Sequence, residues 1–287
     1  MRKHGLKGTF LLQYDALMLP SYQRLMADRS DFCEIGLWLE VVQPLVEAIG
    51  EEWHGRYPWD WYNDVGFLIG YEPNVRLRLV DRTMEDFKSI FGKYPASVGS
   101  WHIDEVSMKH LSKQYHVDAC CICRDQVGTD GYTMQGGYYN QAYYPSVNNM
   151  FCPAATKKNQ IDMPVFRMLG SDPVYAYDYQ AMPYGIKYCP TLEPGQLGRK
   201  PDWCDWFFRE MLSGKGLCFQ YMQAGQENSF GWKKMGTGLE YQFSSIAEFA
   251  KEGKLEILTL GESGRWFKKS FDRPPAARGG EQASSFA

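Results

Sequence analysis

Residues 33–40 read Cys33-Glu34-Ile35-Gly36-Leu37-Trp38-Leu39-Glu40, a short run that is apolar on both faces and ends on an acid. A strand covered by helices on both sides loses the usual polar/apolar alternation, so this run reads as a buried parallel strand. Six further runs share the character: Thr9–Tyr14, Ser97–His102, Ala119–Arg124, Pro164–Leu169, Leu217–Met222 and Leu255–Leu260. Stretches with a helical period lie between them. Asn74–Phe91 carries Val75, Leu79, Val80, Met84, Phe87 and Phe91 close to that period, and Gly92 stops it. Glu105–Tyr115, Asp202–Leu212 and Leu239–Lys251 follow the same pattern. This alternation predicts an α/β fold with a parallel sheet. Seven strands with covering helices suit a (β/α)7-type barrel better than an open doubly wound sheet.

The chain has 287 residues, and α/β barrels of ~250 residues commonly form one domain. The expected organisation is a barrel over residues 1–271 and a disordered tail over 272–287, where Pro, Gly, Ala and Ser dominate without periodicity. Met1–Lys7 reads as the last turn of a helix closed by Gly5, leading straight into a strand, so the barrel is expected to lack its first strand. A net charge of −3 without a basic tract argues against a nucleic-acid partner. No apolar run approaches the ~18 residues of a membrane span. A cytoplasmic chain with no membrane partner is expected, leaving open a signal on a preceding segment, and the oligomeric state is left open too. Eight cysteines include Cys120, Cys121 and Cys123 in one β-like run, without a second matching pair. Buried reduced thiols are expected rather than a zinc knuckle.

Gly5-Leu6-Lys7-Gly8-Thr9-Phe10-Leu11-Leu12 resembles the second strand of polysaccharide deacetylases, and Cys33–Glu40 resembles their third. In that family the Glu-Ile-Gly opening leads to two metal-binding histidines four residues apart; here the matching positions are Trp38 and Val42. The first deacetylase strand, with its paired aspartates, would lie before Met1. The overall pattern is closer to an uncharacterised bacterial family with a glycoside hydrolase/deacetylase-like barrel. The stretches that carry this resemblance are Glu34–Gly36, Val98–Asp104, Arg124–Gly131 and Gln226–Gly231, and it covers roughly residues 5 to 270. It implies a carbohydrate-active barrel; a fold alone does not assign a reaction.

Glycoside hydrolysis needs two carboxyl groups across the scissile bond, and a barrel presents them where its strands end. Glu40, Asp104, Asp125 and Glu227 fit that position. Glu227 is the first choice, because amides surround it in Gln226-Glu227-Asn228, flanked by Phe230 and Trp232. Glu40 points the same way as Trp38 by strand alternation. It is either a carboxyl beside an indole, suited to general acid work, or an acid in the first turn of the next helix. Asp104 is read first as an N-cap, with Ser107 near enough to join it. His102 is a proton carrier, a sugar partner or a buried neutral histidine, the last being the commonest. Asp125 stands at a strand end, and Gln13 with Asp15 is placed at the cleft floor.

Substrate contacts are assigned to Trp38, Trp101, His102, Gln13, Asp15, Gln226, Asn228, Trp59, Trp61 and Tyr138. Aromatic content is high, with 9 Trp, 19 Tyr and 16 Phe, and flat ring faces stack well on sugars. Trp53, Trp59 and Trp61 fall in a Gly/Pro-broken loop, and Tyr138, Tyr139, Tyr143 and Tyr144 in the long non-helical stretch from 125 to 162. Both are read as stacking platforms. No metal and no cofactor are predicted. Three functions compete: a glycoside hydrolase-like enzyme acting on a carbohydrate substrate, a metal-dependent polysaccharide deacetylase, and a non-catalytic carbohydrate-binding barrel.

Overall fold

A computed structural model describes residues 1–60, 62–123, 142–168, 209, 221 and 232–271. They fall into two units. The larger holds described residues 8–60, 62–122, 142–166 and 258–271; the smaller holds 1–7, 123, 167–168, 209, 221 and 232–257.

In chain order the strands are β1 (Gly8–Leu12), β2 (Cys33–Trp38), β3 (Ser97–Ser100), β4 (Ala119–Cys123), β5 (Pro145–Ser146), β6 (Asn149–Pro153) and β7 (Val165–Met168). The α-helices are α1 (Tyr14–Met18), α2 (Pro20–Ala27), α3 (Gln43–Ala48), α4 (Asn63–Gly66), α5 (Pro73–Phe91), α6 (Glu105–Gln114), α7 (Trp232–Lys251) and α8 (Leu260–Ser270). Five strands form a parallel sheet in the order β1-β2-β3-β4-β7. Gly8 lies opposite Cys33, Leu37 opposite Val98, and Ser97 opposite Ala119. Every residue of β3 is buried, as expected of a strand covered on both faces.

The helices that cover the sheet start and stop for local reasons. Pro73 opens α5, where its missing N–H costs nothing, and Gly92 closes it at φ 76, donating its N–H to the Lys88 carbonyl at 2.8 Å. The α5 stripe buries Leu79, Val80, Met84 and Phe87 in one core with Leu37, Val98 and Ile122 of the sheet. In the smaller unit, Leu6 packs with Ile246 and Ala247, and the 3-10 turn Arg2–His4 ends on Gly5 at φ 69.

Three expectations change. Leu255–Leu260 is not a strand: Leu260 begins α8. The signal was present as Thr259-x-x-Glu262, a capping box in which the Thr259 side chain accepts from the Glu262 N–H and Glu262 accepts from the Thr259 N–H. Leu239–Lys251 is extended by two turns to begin at Trp232. The described part of the 125–162 stretch is no loose loop, because β5 and β6 pair antiparallel there. The expected strand Leu217–Met222 and helix Asp202–Leu212 lie outside the described residues, apart from Tyr221 and a helical Arg209. Among the described cysteines, Cys33, Cys120 and Cys121 are buried, whereas Cys152 is exposed. No described helix is long and apolar enough to cross a membrane.

Helix α8 crosses the N-terminal ends of the strands. Glu34, the second residue of β2, reaches it with both oxygens. It accepts from Ser97 Oγ (2.5 Å), Thr259 Oγ1 (2.8 Å) and the Gly261 N–H (2.9 Å), while Thr9 Oγ1 accepts from the Leu260 N–H (2.8 Å). A carboxylate at the first turn of a helix satisfies its orphan N–H groups and complements its dipole. Further along α8, Gly264 passes so close to β4 that a Cβ there would lie 2.3 Å from the Asp118 carbonyl oxygen.

Candidate functional site

At the other end of the sheet, the chain leaving β2 is fixed residue by residue. The Leu39 N–H donates to the Gly99 carbonyl (2.7 Å), Ser100 Oγ donates to the Leu39 carbonyl (3.0 Å), and the Val41 N–H donates to the Gly66 carbonyl (2.8 Å). Glu40 is set between those anchors and is only 6 % exposed. Its Oε2 accepts from Gln13 Nε2 at 2.8 Å and from the Trp59 indole N–H at 3.0 Å. Gln13 comes directly after β1, at the residue before α1. Three separate segments therefore converge on one buried carboxyl. Burying such a group is costly unless it is hydrogen-bonded, and these two donors supply that.

Trp59 belongs to a loop that is itself clamped. Asp60 is buried and takes Arg56 in a two-point contact, Nε to Oδ2 at 2.9 Å and Nη2 to Oδ1 at 2.7 Å. It also accepts the N–H groups of Arg56 (2.8 Å) and Tyr62 (3.3 Å). The guanidinium holds the Asp60 carboxyl well below the usual carboxylate range. The Gln43 N–H donates to the Pro58 carbonyl at 2.9 Å, tying the loop to the start of α3. Trp53 is partly buried against the core and donates to the Tyr57 carbonyl at 2.9 Å, so it anchors the loop.

Trp38 and Trp101 meet edge to face at 5.7 Å, a favoured aromatic geometry. Next in chain, His102 is 3 % exposed, with its ring 5.2 Å from that of Phe151 and its Nδ1 without a hydrogen-bond partner. Burial lowers its pKa, against the opposing pull of Asp104 and Glu105. Asp104 caps α6: Oδ1 accepts from the N–H groups of Val106 and Ser107 (both 3.1 Å) and lies 3.1 Å from Arg76 Nη1, and Oδ2 accepts from Ser107 Oγ at 2.7 Å. Both oxygens are committed to the helix start.

The structure thus brings Glu40, Gln13 and Trp59 together, with Trp38 and Trp101 paired at the same end of the sheet. Asp15 stands apart: it is exposed in the first turn of α1, accepting from the Ala16 N–H at 2.7 Å. Tyr143 and Tyr144 are not stacking platforms. Both are buried, and their hydroxyls donate to the carbonyls of Met150 and Phe271 at 2.8 Å. Asp125, Glu227, Gln226, Asn228, Trp61, Tyr138 and Tyr139 lie outside the described residues. Sequence reading missed the Arg56–Asp60 clamp, although its four-residue spacing was visible, and it missed the exposed Tyr57 and Tyr62 beside it.

A cavity of about 10 Å³ bordered by Tyr14, Trp38, Glu40 and Thr83 is at the lower limit for one water. A sugar ring does not fit in it. Trp38 and Val42 carry no ligating atom, and among the described residues no three His, Cys, Asp or Glu side chains group as a metal site.

Against solved structures, the chain matches a proposed glycoside hydrolase/deacetylase from Parabacteroides distasonis with a TM-score of 0.65 and 14 % identity, over 95 % of this chain and 63 % of that one. The chain therefore spans under two thirds of that protein's length. It also matches a proposed polysaccharide deacetylase from Mycobacterium smegmatis with a TM-score of 0.48 and 13 % identity, over 94 % of this chain and 74 % of that one. No protein-family model and no curated protein matches the sequence. The likeness to the first neighbour is one of fold: an α/β chain with a parallel sheet of five strands.

Proposed function

We propose that this chain is a carbohydrate-active hydrolase of the glycoside hydrolase kind in which Glu40 is a working carboxylate. The observation that supports the reading is a buried carboxyl at the C-terminal end of a parallel strand, held on one oxygen by Gln13 and by the indole of the partly exposed Trp59. Active groups of α/β barrels gather at that end of the sheet. Both described hydrogen bonds come from neutral N–H donors, which orient the carboxylate as an acceptor, suited to taking a proton from water or to attacking an anomeric carbon. Glu227 and Asp125 are the proposed sources of the second carboxyl. Trp38, Trp101 and His102 are proposed to shape the apolar side of the cleft. Asp104 is left out of the pair because both its oxygens serve α6.

A hydrolysis screen on aryl glycosides and acetylated sugars, with and without EDTA, tests the reaction class. Release of the aryl group that EDTA leaves intact is the expected result. Acetate release abolished by EDTA overturns the reading in favour of a metal-dependent deacetylase.

A further inference from the structure

Eleven large apolar side chains are exposed to some degree among the described residues, and four of them, Tyr57, Trp59, Tyr62 and Ile69, fall within one short stretch of chain. Clustered exposure of this kind marks a binding surface, whereas single exposed apolar residues need no explanation. Tyr57 is 56 % exposed and Tyr62 is 50 % exposed. The Arg56 guanidinium carbon sits 3.8 Å from the centroid of the Tyr62 ring and 5.7 Å from that of Tyr57, and Arg56 Nη1 donates to the Tyr62 hydroxyl at 3.1 Å. Arg56 is in turn held by the buried Asp60. A cation over an aromatic face is favourable, so Arg56 holds the Tyr62 ring closely and reaches that of Tyr57 at longer range before any ligand arrives. Pre-organisation lowers the entropy cost of binding. The same short loop delivers Trp59, two residues after Tyr57 and three before Tyr62, to Glu40.

We propose that Tyr57 and Tyr62, fixed by Arg56 and Asp60, form a second sugar-stacking subsite next to Glu40, so that the ligand is an oligosaccharide and not a single sugar. The guanidinium is already engaged by Asp60, so the subsite takes neutral sugars through their apolar faces. This inference rests on the carbohydrate reading of Glu40, and its test separates the two.

Oligomers of β-1,4-linked glucose and of β-1,4-linked N-acetylglucosamine, from monomer to hexamer, are titrated calorimetrically into the full chain and into Tyr57→Ala, Tyr62→Ala, Tyr62→Phe and Glu40→Gln. Affinity of the unaltered chain is expected to rise with length. The loss in each Ala variant is expected to grow with length, to about tenfold for the longest oligomers. Tyr62→Phe keeps the ring and is expected to retain the affinity, and Glu40→Gln is expected still to bind. Both tyrosines are half exposed or more, so their variants are expected to fold, which circular dichroism checks. Affinity independent of length, with both Ala variants matching the unaltered chain, overturns the subsite and leaves the Glu40 reading standing. No binding of either series at any length by the unaltered chain overturns both.

Discussion

Burial decides how His102 answers to pH. The imidazole is desolvated and its Nδ1 has no partner, so its pKa falls below that of a free histidine, with Asp104 and Glu105 pulling upward and Arg76 downward. Above the unfolded value of ~6.5 both states are neutral and His102 adds nothing to the pH dependence. Below it, the unfolded chain binds a proton that the folded chain refuses, and stability falls until the lower folded pKa is passed. The unfolding midpoint is therefore expected to drop as the pH is lowered from about 7 to about 5, and to drop less in His102→Gln; equal drops in the two proteins would refute this. Glu40 makes a second prediction at this scale. Trp59→Phe keeps an aromatic ring but removes the N–H donor at 3.0 Å. Hydrogen bonds to charged groups contribute about 1.5–3 kcal/mol. On a hydrolysed glycoside kcat is expected to fall roughly tenfold with KM nearly unchanged. A change confined to KM would mean that Trp59 only binds substrate.

Helix α8 shows what an element contributes. Its first turn rests on Glu34, which joins Ser97, Thr259 and Gly261 through one carboxylate. Glu34→Gln replaces one acceptor by a donor facing those donors, and is expected to lower stability by about 2–3 kcal/mol. Unfolding in urea measures it, and an unchanged midpoint would show that α8 is held elsewhere. Gly264→Ala separates propensity from packing. Helix propensity alone favours Ala by about 1 kcal/mol, but the added Cβ would lie 2.3 Å from a backbone oxygen of Asp118. Overpacking costs about 1–3 kcal/mol, so the variant is expected to be less stable; a gain would contradict the close approach. This helix also marks where reading the sequence failed. Leu255–Leu260 looked like a strand because it is rich in Leu and Ile, and a short apolar run does not distinguish strand from helix. All five strands of the sheet were legible because each is a short, largely apolar run, and α5 because its stripe runs nineteen residues between Pro73 and Gly92.

Across the whole molecule the two ends of the sheet divide the work. At the N-terminal ends, Glu34 and Gly264 fasten α8 under the strands. At the C-terminal ends, Glu40 meets Gln13 and Trp59. The placement of Glu40 after a buried strand was legible from alternation with Trp38. Its partners were not, because Trp59 arrives through a loop whose course depends on the Arg56–Asp60 clamp and on the tie to α3. Glu34 was legible only as part of a family motif; its role needs α8, more than two hundred residues away in sequence. The fold neighbour is longer than this chain, which covers 63 % of it, and a fold serves many reactions; Glu40 is the side chain on which the proposed hydrolysis turns. The measurement that tests it most directly is kcat and KM of Glu40→Gln on whichever aryl glycoside the unaltered chain cleaves, with thermal unfolding as the control for folding. The expected result is a kcat lower by about 10²–10⁴-fold, KM changed little and an intact fold. A folded Glu40→Gln with unaltered kcat would contradict it.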